Sequence, residues 1–174
     1  MKKHEFTIIA SGLDPAARDF YDRFYEAGCD DATVAFVKGL IVLEFERVAK
    51  NFAHALVTSI QDVRRAGATI EHVEPDYLVS LSDIAERCAL SRAAISLYAK
   101  GERGRNFPVP VARLTTDSPL WDWVEVSRWM YRERKALDLS AVVQAHLVRD
   151  ANRALLASQG KFEPTPFGKI LCSN

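Results

Sequence analysis

The first 75 residues combine short apolar runs with longer stretches in which apolar residues recur at helical spacing. Four runs rich in β-branched residues predict strands: 6–10, 31–37, 40–45 and 68–73. Two longer stretches predict helices, the first capped by Asp14 with Pro15 at its first helical position and the second capped by Asn51. The predicted order is therefore β-α-β-β-α-β, with a hairpin turn at Lys38-Gly39.

This order of elements is that of the split βαβ, ferredoxin-like arrangement. Right-handed crossovers would place both helices on one face of a four-stranded antiparallel sheet and leave the other face open. Leu40, Val42 and Ile9 would form an apolar patch there, which a second copy, the C-terminal half of the chain or a ligand must cover. Such a face is the RNA platform of the RNA-recognition-motif family, but these positions lack the aromatic side chains on which bases stack.

Residues 80–101 predict two short helices joined by a tight polar connection. Ser80 and Asp83 have the spacing of a capping box, and an apolar stripe follows them. Ser91 caps a second helix over residues 92–100, and Gly101 can take the left-handed conformation at its end. Two short helices with this connection are typical of a helix-turn-helix, in which the second helix reads DNA.

The two sides of the second predicted helix differ in chemistry. The inward stripe consists of Ala94, Ile95 and Tyr98. The opposite side is small, polar and basic, and consists of Arg92, Ala93, Ser96 and Lys100. A helix that enters the major groove needs such a surface, because bulky apolar groups would block its approach and acidic groups would be repelled.

Residues 82–91, Ser-Asp-Ile-Ala-Glu-Arg-Cys-Ala-Leu-Ser, resemble the "sxxeaAxxxgvS" first half of the winged helix-turn-helix of the MerR/excisionase (AlpA-like) family. Residues 92–101 are similar to the recognition helix of that family. Residues 107–113 resemble its wing and residues 120–130 the helix that closes the unit, although the segment between Gly101 and Trp121 is longer and richer in proline than in its shortest members. The resemblance covers about a third of the chain and implies duplex DNA as the partner.

We predict an α+β protein in four parts. Residues 1–75 form a ferredoxin-like α/β sandwich for dimerisation or sensing, and residues 76–135 form a winged helix-turn-helix domain. Residues 136–160 form an amphipathic C-terminal helix, and residues 161–174 form a flexible tail. The apolar positions of the predicted C-terminal helix are Leu139, Val142, Val143, Leu147, Ala151, Ala154 and Leu155.

Charge is neutral overall but unevenly distributed. Lys plus Arg and Asp plus Glu number 23 each, so the net charge indicates no class of partner. Residues 87–113 nevertheless carry six basic groups and one acid, which is typical of a phosphate-binding surface. The residues predicted to face base edges are Arg92, Ala93 and Ser96. The residues predicted to contact phosphates are Arg87, Tyr98, Lys100, Arg103, Arg105 and Arg113.

Other classes of protein find little support in the sequence. Three cysteines without ligand spacing indicate a reducing, cytoplasmic compartment, and four scattered histidines indicate no metal site. No apolar stretch is long enough for a signal peptide or a membrane span. Neither a phosphate-binding glycine loop nor a nucleophile with a partner base is recognisable, so we expect no enzyme activity and no cofactor.

The sequence thus favours a sequence-specific double-stranded DNA-binding transcriptional regulator. We expect a homodimer on a repeated or palindromic site, because one small unit gives modest affinity. Three alternatives remain open at this point: an excisionase-like architectural factor that bends DNA, an antitoxin or adaptor-type protein interaction module, and a ligand-gated repressor with an unknown effector.

Overall fold

The computed structural model describes residues 1–133 and 135–158 and shows a mixed α+β protein. Within these ranges it contains a four-stranded antiparallel sheet and six helices. The chain divides into two compact units. Among the described residues, the first comprises Met1–Glu74 together with residues 150–158, and the second comprises Pro75–Arg149.

The first unit is built on the four-stranded sheet. Its elements, in chain order, are β1 (Lys2–Ser11), α1 (Phe20–Glu26), β2 (Ala32–Val37), β3 (Leu40–Ala49), α2 (Phe52–Arg65) and β4 (Thr69–Glu74). The strand order is β2-β3-β1-β4 and every neighbouring pair is antiparallel. The turn between β2 and β3 is confirmed at Lys38-Gly39, where φ is 51° and 86°, the left-handed values that a two-residue hairpin turn requires.

Alternation along the strands sends one set of side chains into the core of this unit. On β3, Ile41, Leu43 and Phe45 are buried, and Ile8 of β1 lies opposite Leu43. Helix α2 begins at Phe52, after the side chain of Asn51 accepts a hydrogen bond from the His54 N–H at 2.9 Å, as the sequence predicts.

One prediction for this unit requires correction. Helix α1 begins at Phe20 and not at Pro15, because the Asp14 carboxylate accepts from the Ala16 N–H at 2.9 Å and holds the preceding residues in turns. The apolar patch predicted on the other face of the sheet is largely shielded from solvent, since Ile9 is only 7% exposed and Leu40 and Val42 are half-buried.

The second unit contains short strands and helices. Its elements are β5 (Leu78–Val79), α3 (Leu81–Arg87), α4 (Arg92–Ala99), β6 (Trp121–Asp122), α5 (Trp123–Arg132) and the first part of α6 (Leu139–Ser158). Strand β5 pairs with β6 antiparallel, with Leu78 opposite Asp122 and Val79 opposite Trp121. The core of this unit gathers Ile84, Ile95, Tyr98, Trp123, Val126, Trp129 and Met130.

Helix α6 differs from its prediction in two respects. It spans Leu139–Ser158, and its residues fall into both units, divided after Arg149. Its buried positions are Val142, Ala145, Val148, Asn152 and Leu155. Val142 and Leu155 belong to the predicted stripe, whereas the predicted Leu139 and Val143 are exposed. The predicted flexible tail at 161–174 lies outside the described residues.

The sheet edge at β4 is occupied by a side chain of α6. The amide of Asn152 accepts from the Val73 N–H at 2.7 Å and donates to the Val73 carbonyl at 2.9 Å. In addition, the register between β1 and β4 shifts between Ile9 and Ala10. An amide side chain and an irregular register together make this edge unavailable to another strand. No helix of the described residues is long and apolar enough to cross a membrane.

Candidate nucleic-acid interface

The joint between α3 and α4 follows from local signals in the sequence. Ser80 and Asp83 form the predicted capping box, with the Ser80 N–H donating to the Asp83 carboxylate at 2.7 Å. Ser91 caps α4 by accepting from the Ala94 N–H at 3.1 Å. Between the two helices Ala89 has φ of 51°, so a residue with a Cβ occupies the left-handed conformation that turns the chain.

Helix α4 has one anchored side and one exposed side, as predicted. Ile95 and Tyr98 are buried in the core of the second unit. On the other side Arg92, Ala93 and Lys100 are exposed, and Ser96 is half-buried. Leu97 is also exposed and adds an apolar side chain to α4 that the prediction did not include. The exposed side can therefore offer one guanidinium, one ammonium and one hydroxyl to a ligand.

The basic loop, residues 101–106, is fixed by aromatic packing and by a buried indole. The Trp129 Nε1–H donates to the Arg105 carbonyl at 2.9 Å, and Gly101 and Gly104 both have φ of 73°. A Cβ placed on Gly104 would lie 3.0 Å from Cζ2 of Trp129 and 3.3 Å from Cδ1 of Tyr98. The loop backbone therefore approaches these rings more closely than a side chain would permit.

The two residues that follow the basic loop, Phe107 and Pro108, are also held by ring packing and an indole hydrogen bond. The Trp121 Nε1–H donates to the Pro108 carbonyl at 3.0 Å. Phe107 packs edge-on against Trp129 with ring centroids 5.0 Å apart. Sequence reasoning missed that the N–H groups of both tryptophans hold the backbone that carries the basic side chains, because both acceptors are distant in sequence.

Two predicted phosphate contacts are instead part of the packing. Tyr98 is 4% exposed and lies against Phe107 and Trp129, so its ring faces the core and not a ligand. The Arg87 guanidinium lies 5.1 Å above the Trp123 ring and donates to the Asp76 carbonyl at 2.8 Å. Burial lowers the pKa of Arg87 from its ordinary value. We therefore remove Tyr98 from the candidate surface and assign Arg87 to the packing of α3.

The remaining predicted phosphate contacts are exposed. Lys100, Arg103 and Arg105 lie on or next to the basic loop, and the Arg103 guanidinium lies 5.5 Å above the Tyr98 ring. Stacking on a buried ring restricts Arg103 to an orientation outside the core and leaves its N–H groups free to face a phosphate. The candidate surface thus consists of α4 and the basic loop that directly follows it.

Arg113 lies on a second exposed segment. It has φ of 53° and its carbonyl accepts from the Thr116 N–H at 3.1 Å, which starts a turn. This turn connects Ala112 to Leu120, which form an antiparallel bridge that includes a 2.9 Å hydrogen bond from the Leu120 N–H to the Ala112 carbonyl. The same segment exposes apolar side chains, with Val109 at 77% and Leu114 at 66%.

The described residues contain no group of side chains suited to holding a metal ion, and the cysteines among them, Cys29 and Cys88, are buried. In residues 1–133 and 135–158, no three His, Cys, Asp or Glu side chains form a metal-binding group. Burial raises the pKa of the Cys29 thiol to about 12 and that of Cys88 to about 11, so both thiols are protonated at neutral pH.

A buried ionic network in the first unit was not predicted from the sequence. The Arg47 guanidinium donates to both oxygens of Asp31 at 2.8 Å, to Asp62 at 2.6 Å and to the Gly28 carbonyl at 2.7 Å. Hydrogen bonds to Asp31 raise the pKa of Arg47 despite its burial. The one available signal was an arginine two residues after Phe45, at a strand position that alternation directs into the core.

The chain was compared with protein-family models, with curated proteins and with solved structures, and none of the three comparisons finds a match.

Proposed function

We propose that this protein is a sequence-specific double-stranded DNA-binding regulator. In this proposal the second unit is a winged helix-turn-helix similar to that of the MerR/excisionase (AlpA-like) family, with α3 and α4 as the two helices and residues 107–122 as the wing. The first unit, with its β-α-β-β-α-β order and its β2-β3-β1-β4 sheet, is a ferredoxin-like domain.

The proposal depends above all on the two sides of α4. Its anchored side carries Ile95 and Tyr98, so the helix has a fixed orientation on the core. Its other side presents Arg92 and Ala93 to solvent with the half-buried Ser96 beside them. Arg92 is the side chain suited to a bidentate hydrogen bond with guanine, and the small neighbours allow the helix backbone to come close to the bases.

The basic loop supports the proposal by providing phosphate contacts next to α4. Lys100, Arg103 and Arg105 are exposed, and the Trp129 indole fixes the loop backbone that bears the two arginines. Phosphate contacts of this kind position a reading helix without carrying sequence information. Loss of one such contact should therefore weaken binding to all sequences alike.

A shift assay with randomised duplex pools and a salt titration tests the proposal. Selection should enrich a defined site, and log Kd should depend linearly on log salt concentration. Arg92→Ala should cost about 1–3 kcal/mol and relax preference at one base pair, whereas Arg103→Ala should weaken every sequence and reduce the salt slope by about one. Arg64→Ala, an exposed change on α2, is the matched control. No salt-dependent duplex affinity would refute the proposal.

The segment that carries Arg113 favours a second candidate, an excisionase-like architectural factor. Val109, Val111 and Leu114 are exposed on this segment. Apolar side chains inserted between base steps kink DNA, so a protein of this kind would bend its site. A permuted-site mobility assay separates the two candidates: the architectural factor gives position-dependent mobility that Leu114→Ser reduces, and a regulator that does not bend its site gives none.

A further inference from the structure

The two edges of the four-stranded sheet differ in whether their outward backbone groups already have hydrogen-bond partners. Strand β4 forms one edge, and Asn152 engages both backbone groups of Val73 there. Strand β2 forms the other edge and has six residues, Ala32–Val37, without proline or a charged side chain. Within the part of the chain that the structure describes, no strand pairs with its outer side. Exposed edges that lack such protection are suited to pairing with another strand.

The backbone of β2 directs alternate residues outward. The Glu46 N–H donates to the Asp31 carbonyl at 3.0 Å, so the odd-numbered residues of this strand face β3. The even-numbered residues Ala32, Val34 and Phe36 therefore direct their N–H and C=O groups to the free edge. The Ala32 N–H is engaged by the Cys29 carbonyl at 3.0 Å, and the groups of Val34 and Phe36 are available to a partner strand.

The residues of β2 are complementary to a second, antiparallel copy of themselves. We propose that two chains associate through their β2 edges, with Val34 on the two-fold axis and the two sheets joined into one of eight strands. In this register Val34 lies opposite Val34 of the second copy, and Phe36 lies opposite Ala32. Phe36, which is 45% exposed in the single chain, would then pack beside a small apolar neighbour.

Charge selects this register over its neighbours. Asp30 and Lys38 lie in the turns that flank β2, and this register brings the turn with Asp30 to the same end of the seam as the turn with Lys38 of the second copy; the two-fold axis repeats the pair. Both side chains are exposed in the single chain. A shift of two residues in one direction would place Asp30 opposite Phe36, and in the other direction it would place Lys38 opposite Ala32. Only the proposed register brings opposite charges together at both ends.

The association does not require DNA binding, so the outcome of its test is independent of the outcome of the DNA-binding test. The edge of one six-residue strand covers less area than the roughly 1,000 Å² of a stable interface, so we expect a dissociable dimer. Sedimentation velocity of the full chain without DNA should show a concentration-dependent rise from 19.5 kDa toward twice that mass. A chain that stays at 19.5 kDa at its highest soluble concentration would overturn the inference.

Variants at the edge identify the surface. Phe36→Asp should raise the dimer dissociation constant about ten-fold or more, because on each side of the axis it replaces the Phe36–Ala32 contact by a carboxylate against an apolar neighbour. Val57→Asp is the matched control, since Val57 is 53% exposed on α2 and outside the proposed interface. Val34→Pro removes an outward N–H and keeps the strand pairing with β3, so it tests the hydrogen bonding of the β2 edge. Circular dichroism checks that this variant remains folded. Unchanged association of both edge variants would assign the dimer to another surface and refute the inference.

Charge exchange and disulfide trapping test the register. Asp30→Lys and Lys38→Asp should each weaken association, and the double variant should restore it. In a Cys172→Ser background, Thr33→Cys and Ala35→Cys chains should form an interchain disulfide when mixed. These positions form a pair without mutual hydrogen bonds, with Cα atoms about 4.5 Å apart. Neither chain alone should form this disulfide, and equal trapping of the separate chains would contradict the register.

Discussion

Asn152 of α6 and Val73 of β4 are joined by two hydrogen bonds, with the Val73 N–H donating at 2.7 Å and the Val73 carbonyl accepting at 2.9 Å. Both bonds are buried, and the two residues are 79 positions apart in the chain. An amide side chain matches the donor and acceptor of a strand, so Asn152 satisfies both backbone groups that the edge would otherwise leave without a partner.

Asn152→Ala should lower the free energy of unfolding by about 1–3 kcal/mol, because it leaves buried backbone groups without partners. Asn152→Asp should cost more at neutral pH, since a carboxylate can accept from the Val73 N–H but repels the carbonyl. Urea denaturation measures the loss, and exchange of the Val73 amide hydrogen locates it. Arg153→Ala, an exposed change on the same helix, should have little effect. Slow exchange at Val73 in both Asn152 variants would contradict the assignment.

Arg47→Met should destabilise the first unit by about 3–5 kcal/mol, because it leaves the carboxylates of Asp31 and Asp62 without their cation. The Arg47 side chain is only 10% exposed, so water cannot replace the lost contacts. Denaturant midpoints measure the change, with Arg64→Met as the control on the exposed side of α2. Adding Asp31→Asn and Asp62→Asn should recover part of the loss, and a triple variant that is less stable than Arg47→Met would argue against this cause.

Ala89→Gly should stabilise the protein by about 0.5–1 kcal/mol, because it relieves a left-handed alanine between α3 and α4. The side chain is exposed and its removal opens no cavity. Ala151→Gly within α6 is the opposite control and should cost about 1 kcal/mol. Thermal and urea unfolding decide the sign of each change. If Ala89→Gly lowers the free energy of unfolding, the left-handed conformation of Ala89 between α3 and α4 is not strained.

Gly104→Ala should weaken duplex binding without altering a charged residue, because its Cβ would lie 3.0 Å from Trp129 and displace the basic loop. Gly101→Ala is the matched control, since it has the same φ of 73° and no atom within 4 Å of its Cβ. Both variants carry the backbone strain, and only Gly104→Ala carries the steric conflict. Fluorescence anisotropy on one duplex measures both. Equal loss in the two variants would attribute the effect to backbone strain alone.

The capping box of α3 should make stability depend on pH in the acid range. Hydrogen bonds from Ser80 hold the pKa of Asp83 below its ordinary value of 3.8. The folded chain therefore binds this proton less readily than the unfolded chain. The contribution is fully present above the ordinary pKa and is lost as pH falls through the lower, folded pKa.

Asp83→Asn should reduce the fall in urea midpoint between pH 5 and pH 2, the approximate window in which the carboxylate is protonated. Asp117→Asn, a change in an exposed turn, is the control and should leave the slope as in the parent chain. An unchanged slope in Asp83→Asn would exclude the capping box as its source.

The sequence by itself determined the order of the elements in the first unit and the starts of α2, α3 and α4. Asn51, Ser80 and Ser91 cap helices as predicted, since a cap is a contact between residues three apart and depends on little else. The hairpin turn at Lys38-Gly39 follows for the same reason. The exposed side of α4 also followed from periodicity, because a helix that buries Ile95 and Tyr98 must turn Arg92 outward.

Only the tertiary structure decided which side chains near the candidate surface are free to bind. In the sequence, Arg87 is a cation and Tyr98 a hydrogen-bonding ring, so both were predicted to bind phosphate. In the structure, Arg87 packs against Trp123 and Tyr98 against Trp129, and periodicity does not predict these contacts. Asp62 lies 15 positions from Arg47 in the chain, and Val73 lies 79 positions from Asn152. Caps and turns are local and can be predicted from neighbouring residues, whereas buried polar partners depend on which distant segments the fold brings together.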